Sequence, residues 1–243
     1  MALRTGRAGA TTPRDERVFE DLFWTRFLST RQIAELRFPS LESARVRMYA
    51  LMRKGWVVNQ ILGPNEILWR LTREGFERVR TSLDWDREQA PDFFSGQKLR
   101  HYVESNDLYV LAAPGLERVL GGYPAWGWVN EGRAHRRYEF SGRRLVHQPD
   151  AEIRLPGYLF FLERQSRRAR YGAKTIREKV AAYGAYVDRV LRPEGLRVEI
   201  LFACDLERER RVAVEAGYEY GVEVVTSSVR GIASHLESVA ASS

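Results

Sequence analysis

Residues 148–165 read QPDAEIRLPGYLFFLERQ, and five consecutive apolar positions, Tyr158 to Leu162, run straight into Glu163, Arg164 and Gln165. Pro156-Gly157 suits the centre of a type II turn, because proline presets the first central φ and glycine accepts a positive φ at the second. Strands folded back about that bend set Asp150 opposite Glu163, since each lies equally far from its centre. Directly opposed residues share one face of a sheet, with Cβ atoms roughly 5 Å apart. Gln165, two residues on, faces the same way. The apolar run therefore predicts a buried central strand whose polar end opens into a site. Two carboxylates held so close repel each other unless something positive sits between them. A hard divalent cation, Mg²⁺ or Mn²⁺, is the candidate, because it takes carboxylate oxygens and leaves positions for phosphate and water. Such an ion on a phosphodiester polarises the phosphoryl oxygen and supplies hydroxide.

The totals frame this reading. The chain has 243 residues, 44% apolar and 12% aromatic, enough for one large or two small cores. No apolar run approaches the roughly 20 residues that cross a bilayer. The opening MALRTGRAGATTPRDE carries no apolar segment behind its basic residues, so a cytoplasmic protein without a membrane partner is expected. Cys204 is alone in VEILFAC, which excludes an internal disulfide and a cysteine metal site and reads as a small core residue. Net charge is +7, carried by 35 Arg against 4 Lys. Arginine's planar fork suits phosphate oxygens, and double-stranded DNA is the natural acidic partner.

Ahead of the opening stretch, helical spacing is plain. Apolar residues at 18, 19, 22, 23 and 27 predict a first helix from Pro13 to Phe27. Ser29 or Thr30 caps a second that ends at Pro39, and Ser40 caps a third that Gly55 closes. Trp56-Val57-Val58 and Ile67-Leu68-Trp69 flank Gly63-Pro64-Asn65 as a two-stranded ribbon, and Thr72 caps a helix to about Thr81. Three helices and a ribbon in this order predict a winged helix-turn-helix over residues 13–81. Its third helix would enter the major groove, and LWRLTREGFERV resembles the wing-to-helix passage of winged-helix proteins. On that helix Glu42, Ser43, Val46, Arg53 and Lys54 point outward with Arg45, Arg47 and Tyr49 on the flanks. Ser43, Arg45, Arg47, Arg53 and Lys54 are the candidate DNA contacts.

Residues 82–97, SLDWDREQAPDFFSGQ, lack a sustained period and read as a linker. Beyond it, residues 98–243 predict a helix from Lys98 to about Ala112 and a loop PGLERVLGGYPA. Strands follow at Gly127–Glu131, Arg137–Phe140, Leu145–Ile153 and Tyr158–Gln165, then a helix from Lys174 to Leu191. Strands at Leu196–Ala203 and Val222–Thr226 alternate with helices at about Leu206–Glu215 and Gly231–Val239, an α/β domain with a mixed sheet. Arg164, Arg167, Arg168, Arg170, Lys174, Arg177 and Lys179 crowd into 16 residues with Glu178 as their only acid, a candidate phosphate track. Glu131 is a candidate further acidic ligand. His101 could act as acid or base, although a histidine capping local polar groups fits as well. His135, His147 and His235 lack the mutual spacing of a zinc site, and Trp126 and Trp128 read as core. No glycine-rich phosphate loop or nucleophile elbow is present.

Pro149-Asp150 followed by Glu163-x-Gln165 at the end of an apolar strand resembles the PD-(D/E)xK nuclease signature in its E-x-Q form. The resemblance implies a metal-dependent DNA endonuclease site, with Asp150 and Glu163 on the metal and Gln165 orienting the attacking water. Lys179 on the following helix would supply the missing cation, and Glu104 on the opening helix stands where this fold often places another acid. Gln165 departs from the usual lysine and can neither carry charge nor accept a proton. Across nearly the whole chain, LTREGFERV, LRHYVESNDLYVLAA, WGWVNE, QPDAEIRLPGYLFFLERQ and IREKVAAYGAYV run in the order of the replication-relaxation family of plasmids and conjugative elements, which implies DNA binding in plasmid maintenance or mobilisation. That family usually has an acid followed by a small polar residue and Thr where this chain reads Gln165-Ser166-Arg167. The departure keeps a second reading open: an accessory DNA-binding protein without catalysis, whose second domain serves protein contact or a homodimer.

Overall fold

A computed structural model describes residues 11–64, 66–85, 96–122, 124–140, 143–165, 172–191 and 195–243. The chain divides into two compact units between Leu99 and Arg100.

The first unit opens with α1 (Pro13–Thr25). Thr12 and Asp15 form a reciprocal capping box, Pro13 takes the first turn, and Arg26 with φ 71 ends the helix. Its stripe of Val18, Phe19, Leu22 and Phe23 is buried, each contributing about 1.5–3 kcal/mol of apolar transfer. β1 (Leu28–Ser29) leads into α2 (Thr30–Arg37), capped by Ser29 and Gln32. α3 (Leu41–Arg53), capped by Ser40, buries Ala44, Met48 and Leu51. β2 (Val57–Gly63) and β3 (Glu66–Leu71) form an antiparallel hairpin, and β1 adds to β3 to give the order β1-β3-β2. The short β1 pairing, Leu28 with Trp69 and Ser29 with Leu68, has no sequence signal of its own. α4 (Arg73–Ser82) follows Thr72, whose hydroxyl accepts from Gly75 N–H at 3.1 Å. A Cβ on Gly75 would collide with the Trp56 carbonyl, so this turn demands glycine. Trp85, from the expected linker, stacks edge-on against Trp24 at 5.3 Å. Residues 86–95 of that linker lie outside the described residues.

The second unit is α/β with a mixed sheet, as the alternation of elements predicts. α5 (Gly96–Leu120) runs through the expected loop and contains Pro114. An interior proline costs about 3 kcal/mol. Burial of Ala112, Ala113 and Leu116 offsets it, a tertiary effect that the Pro-Gly pair conceals. β4 (Gly127–Asn130) passes directly into the short α6 (Glu131–Ala134), so Glu131 starts a helical turn and does not close a strand. β5 (Arg136–Phe140) and β6 (Arg143–His147) pair as a separate ribbon. β7 (Ala151–Leu155) and β8 (Tyr158–Arg164) form the hairpin about Pro156-Gly157, with Gly157 at φ 74. The expected single strand 145–153 is thus broken at residues 148–150, where the chain leaves the ribbon for the sheet.

α7 (Ala173–Tyr186), extended by a π-helical turn at Val187–Leu191, carries the chain to β9 (Arg197–Ala203). α8 (Glu207–Tyr220) carries it to β10 (Glu223–Ser227), and α9 (Val229–Ser242) ends it. The sheet order is β10-β9-β8-β7-β4, antiparallel from β4 to β8 and parallel from β8 to β10. On one face Leu159, Phe161, Ile200 and Phe202 pack against Ile176, Val180, Tyr183, Ala213 and Ala216 of α7 and α8. On the other, Trp128 meets Tyr109 of α5 and Phe160 meets His235 of α9. Burial on both faces is why Tyr158–Leu162 reads as an unbroken apolar run.

Candidate functional site

The site lies where β8 runs out of the sheet. β7 and β8 pair from Leu155 with Tyr158 to Ala151 with Leu162, and the Asp150 N–H donates to the Leu162 carbonyl at 2.9 Å. The regular ladder ends at the Ala151–Leu162 pair, since an unbroken one would turn the Asp150 N–H away from β8; Asp150 instead reaches the Glu163 end of β8 through its carboxylate, which bonds the Arg164 N–H. Asp150 and Glu163 are buried, 9% and 3% exposed. Asp150 Oδ1 lies 2.8 Å from His101 Nε2, and Oδ2 accepts the Arg164 backbone N–H at 2.6 Å. Glu163 Oε2 binds the Lys179 ammonium, and Oε1 accepts the Tyr183 hydroxyl. Lys179 and Tyr183 stand four residues apart on α7, one turn, so both reach the same carboxylate.

The electrostatics follow from this crowding. Burial, followed by the negative charge of Asp150, pushes the Glu163 carboxyl up to about 7, against the opposing pull of Lys179 and Tyr183. His101 is raised, first by its hydrogen bond to Asp150 and further by Glu131 and Glu163, with burial opposing. Burial and the neighbouring Glu163 raise the Tyr183 hydroxyl well above its ordinary value. Close by, His147 stacks on Tyr186 at 4.2 Å and meets Phe161 and Tyr183 edge-on. Desolvation there, with Arg136 adding, lowers it to about 3, so it is neutral.

The cluster matches the expected residues in part. Asp150, Glu163 and Lys179 come together, and Gln165 is buried beside them, its N–H on the Ala203 carbonyl. Glu131 is buried and accepts from Gln148 Nε2 at 2.6 Å. Glu104 is half-buried on α5, and among the described residues no hydrogen bond or ion pair joins it to the cluster. His101 is the acid's direct partner, not a cap of local groups, and Tyr183 has no place in the sequence reading. Its spacing from Lys179 is the signal that could have found it. The expected divalent cation has no ready-made seat. Among the described residues no group of three His, Cys, Asp or Glu side chains gathers to hold an ion. Every oxygen of Asp150 and Glu163 already accepts a donor from the protein. A cation on the two carboxylates would therefore have to displace Lys179, Tyr183, His101 or the Arg164 N–H.

Among the expected phosphate contacts, Arg167, Arg168 and Arg170 lie outside the described residues. By strand alternation the Arg164 side chain leaves the face of Glu163, and its Nε and Nη1 are buried without a hydrogen-bond partner among the described residues. Lys174 is exposed and stands 3.8 Å from Glu178. Arg177 leaves the proposed track altogether, tied to Glu215 and Glu219 of α8 at 3.0 and 2.7 Å. On α3, Arg45 and Arg53 are exposed, and Lys54 and Ser43 are half-buried, with Ser43 Oγ donating to the Ser40 carbonyl. Arg47 turns inward: its Nε donates to Asp15 Oδ1 at 2.7 Å, which makes it a strut between α1 and α3.

No curated protein matches the chain in sequence. Among solved structures, protein VC1899 from Vibrio cholerae is similar at a TM-score of 0.38 and 11% identity, over 95% of this chain and 58% of that one. Restriction endonuclease FokI is similar at 0.35 and 12% identity, over 94% and 44%. FokI bound to DNA gives 0.34 and 11%, over 96% and 47%. The chain thus spans less than two thirds of each of these proteins, and likeness this loose carries no argument about function. No helix among the described residues is long and apolar enough to cross a membrane. The replication-relaxation family model, by contrast, matches residues 19–197, from α1 to the first residue of β9 and well over half the chain. The chain belongs to the replication-relaxation family.

Proposed function

We propose that this chain binds double-stranded DNA through residues 13–81, a winged helix-turn-helix in which α3 enters the major groove and the β2–β3 hairpin is the wing. The observation that carries this reading is the outer side of α3. Arg45 and Arg53 stand in solvent with no ion pair to the described residues, while Arg47 beside them is consumed internally. Val46, 59% exposed, adds an apolar contact of the kind that meets a thymine methyl, and Ile61 stands 74% exposed near the hairpin tip. Membership of the replication-relaxation family supports a role at plasmid DNA, in maintenance or mobilisation.

Duplex affinity measured against salt tests it. Phosphate contacts predict a steep fall, and Arg45→Ala or Arg53→Ala each lowers the log–log slope by about one if its guanidinium meets a phosphate. A flat salt response, or a double variant that binds like the native protein, removes α3 from the interface.

The second reading assigns residues 98–243 a nuclease-like role, cleavage of duplex phosphodiesters. Asp150 close to Glu163 at a strand end, with Lys179 on the glutamate, favours it. Nicking of supercoiled plasmid with and without Mg²⁺ or Mn²⁺ decides, comparing native protein with Asp150→Ala. Equal nicking by both excludes Asp150 from the chemistry, and no nicking by either leaves the accessory DNA-binding role.

A further inference from the structure

β10 is the edge of the five-stranded sheet, and among the described residues nothing pairs with its outer side. Protein edges of this kind are ordinarily blunted by lysine, proline or a bulge. β10, Glu223-Val-Val-Thr-Ser227, has none of these, and it pairs with β9 in unbroken register. β4, the opposite edge, is only four residues long and turns at once into α6.

The groups that β10 offers outward follow from its ladder. The Ser227 carbonyl accepts the Cys204 N–H at 2.9 Å, so Ser227 points its backbone at β9. Alternation then turns Glu223 and Val225 inward as well, and leaves the N–H and C=O of Val224 and Thr226 facing out. An antiparallel partner needs hydrogen-bonded residue pairs at those positions. A second β10, turned about a twofold axis at Val225, provides them. Val224 of each copy meets Thr226 of the other in hydrogen-bonded pairs, Val225 meets Val225 across the axis, and Glu223 falls opposite Ser227. This register overlaps all five residues, and no like charges oppose each other, which would be destabilising.

We propose that β10 is a homodimer edge: two copies of this chain join their five-stranded sheets through antiparallel β10 strands centred on Val225. The occupant is a second copy because the edge is complementary to itself in spacing, bonding and charge.

Three variants test the register. Thr226→Pro removes one outward donor and leaves the bonds to β9 intact, since proline is tolerated on an edge whose N–H faces solvent. Val225→Cys sets two thiols in a non-hydrogen-bonded pair with Cα atoms about 4.5 Å apart, inside the roughly 4.4–6.8 Å window for a disulfide. Ser227→Cys, which would oppose Glu223, is the control. Background from Cys204 is low, because it is fully buried and burial pushes its thiol up to about 11. In sedimentation experiments the native chain dimerises with rising concentration, and Thr226→Pro loses the dimer with an unchanged circular dichroism spectrum. Mild oxidation links Val225→Cys into dimers and leaves Ser227→Cys unlinked. A native chain that stays monomeric, or a dimer in which Val225→Cys fails to crosslink, overturns the proposal. Should Thr226→Pro fail to fold, the crosslink carries the test alone.

Discussion

Two pairs of buried carboxylates, one in each unit, are neutralised differently, while Glu152 of the second unit, held by Arg136 and Arg154, follows the first pattern. In the first pair arginines hold the acids: Arg37 grips Asp21 with Nε and Nη2 at 2.7 Å each, and Arg47 grips Asp15. Asp15 is held below its ordinary value by Arg47 and the Thr12 cap, although burial pulls the other way. In the second, two acids lie close together, Asp150 on His101 and Glu163 on Lys179 and Tyr183, and burial with the charge of Asp150 drives Glu163 upward. Planar, always-charged arginine makes a fixed strut. Lysine, histidine and crowded carboxylates make a cluster that can gain and lose protons, which suits chemistry or regulation better than bracing.

The largest break in this comparison is expected at the strut. Asp21→Ala takes the carboxylate from Arg37, whose side chain is 13% exposed and cannot discharge. The loss is about 3–5 kcal/mol by urea unfolding. Lys179→Met is expected to cost less, about 2–3 kcal/mol, because the abandoned Glu163 can escape by taking up a proton. A larger loss for Lys179→Met than for Asp21→Ala would reverse this assignment of strut and cluster.

The pH response sharpens the contrast. Glu163 has its folded value near 7 against an ordinary 4.5, so its contribution to stability is complete below 4.5 and disappears as pH rises through 7. His101, raised above 6.5, acts in the same direction: its contribution is present below 6.5 and lost above its folded value. Asp15, lowered from 3.8, contributes above that value and loses its part only as pH falls below it. His147, lowered to about 3 from 6.5, acts the other way and offsets Glu163 below pH 6.5, so thermal unfolding of the native chain should show stability falling between about pH 6.5 and 8, where Glu163→Gln should flatten the profile. Asp15→Asn should leave its slope unchanged. The smallest effect is expected at His147→Phe. Above pH 6.5 the ring is neutral in both states, and among the described residues its Nε2 has no hydrogen-bond partner, so there a phenyl of similar shape should change stability by less than about 1.5 kcal/mol.

Local signals carried much of the fold and half of the site. Ser40 and Thr72 announce their helices because caps act within three residues, and Pro156-Gly157 brings the Asp150 and Glu163 ends of the two strands together because strand pairing is counted outward from a bend. What stayed hidden depends on partners far along the chain. His101 meets Asp150 from α5, and Tyr183 meets Glu163 from α7. Arg47 looks like one more outward cation until α1 brings Asp15 to it. Pro114 reads as a helix stop because the buried contacts that overrule it lie outside any window about it.

The two-residue bend also works as a ruler. Adding a single residue there would slip β8 by one place and turn every one of its side chains through the sheet. Glu163 would then part from Lys179 and Asp150 while the apolar run still looked intact. Relatives that keep the cluster should therefore preserve the count between these two acids even where the residues between them change, and length variation should collect in the loops on either side.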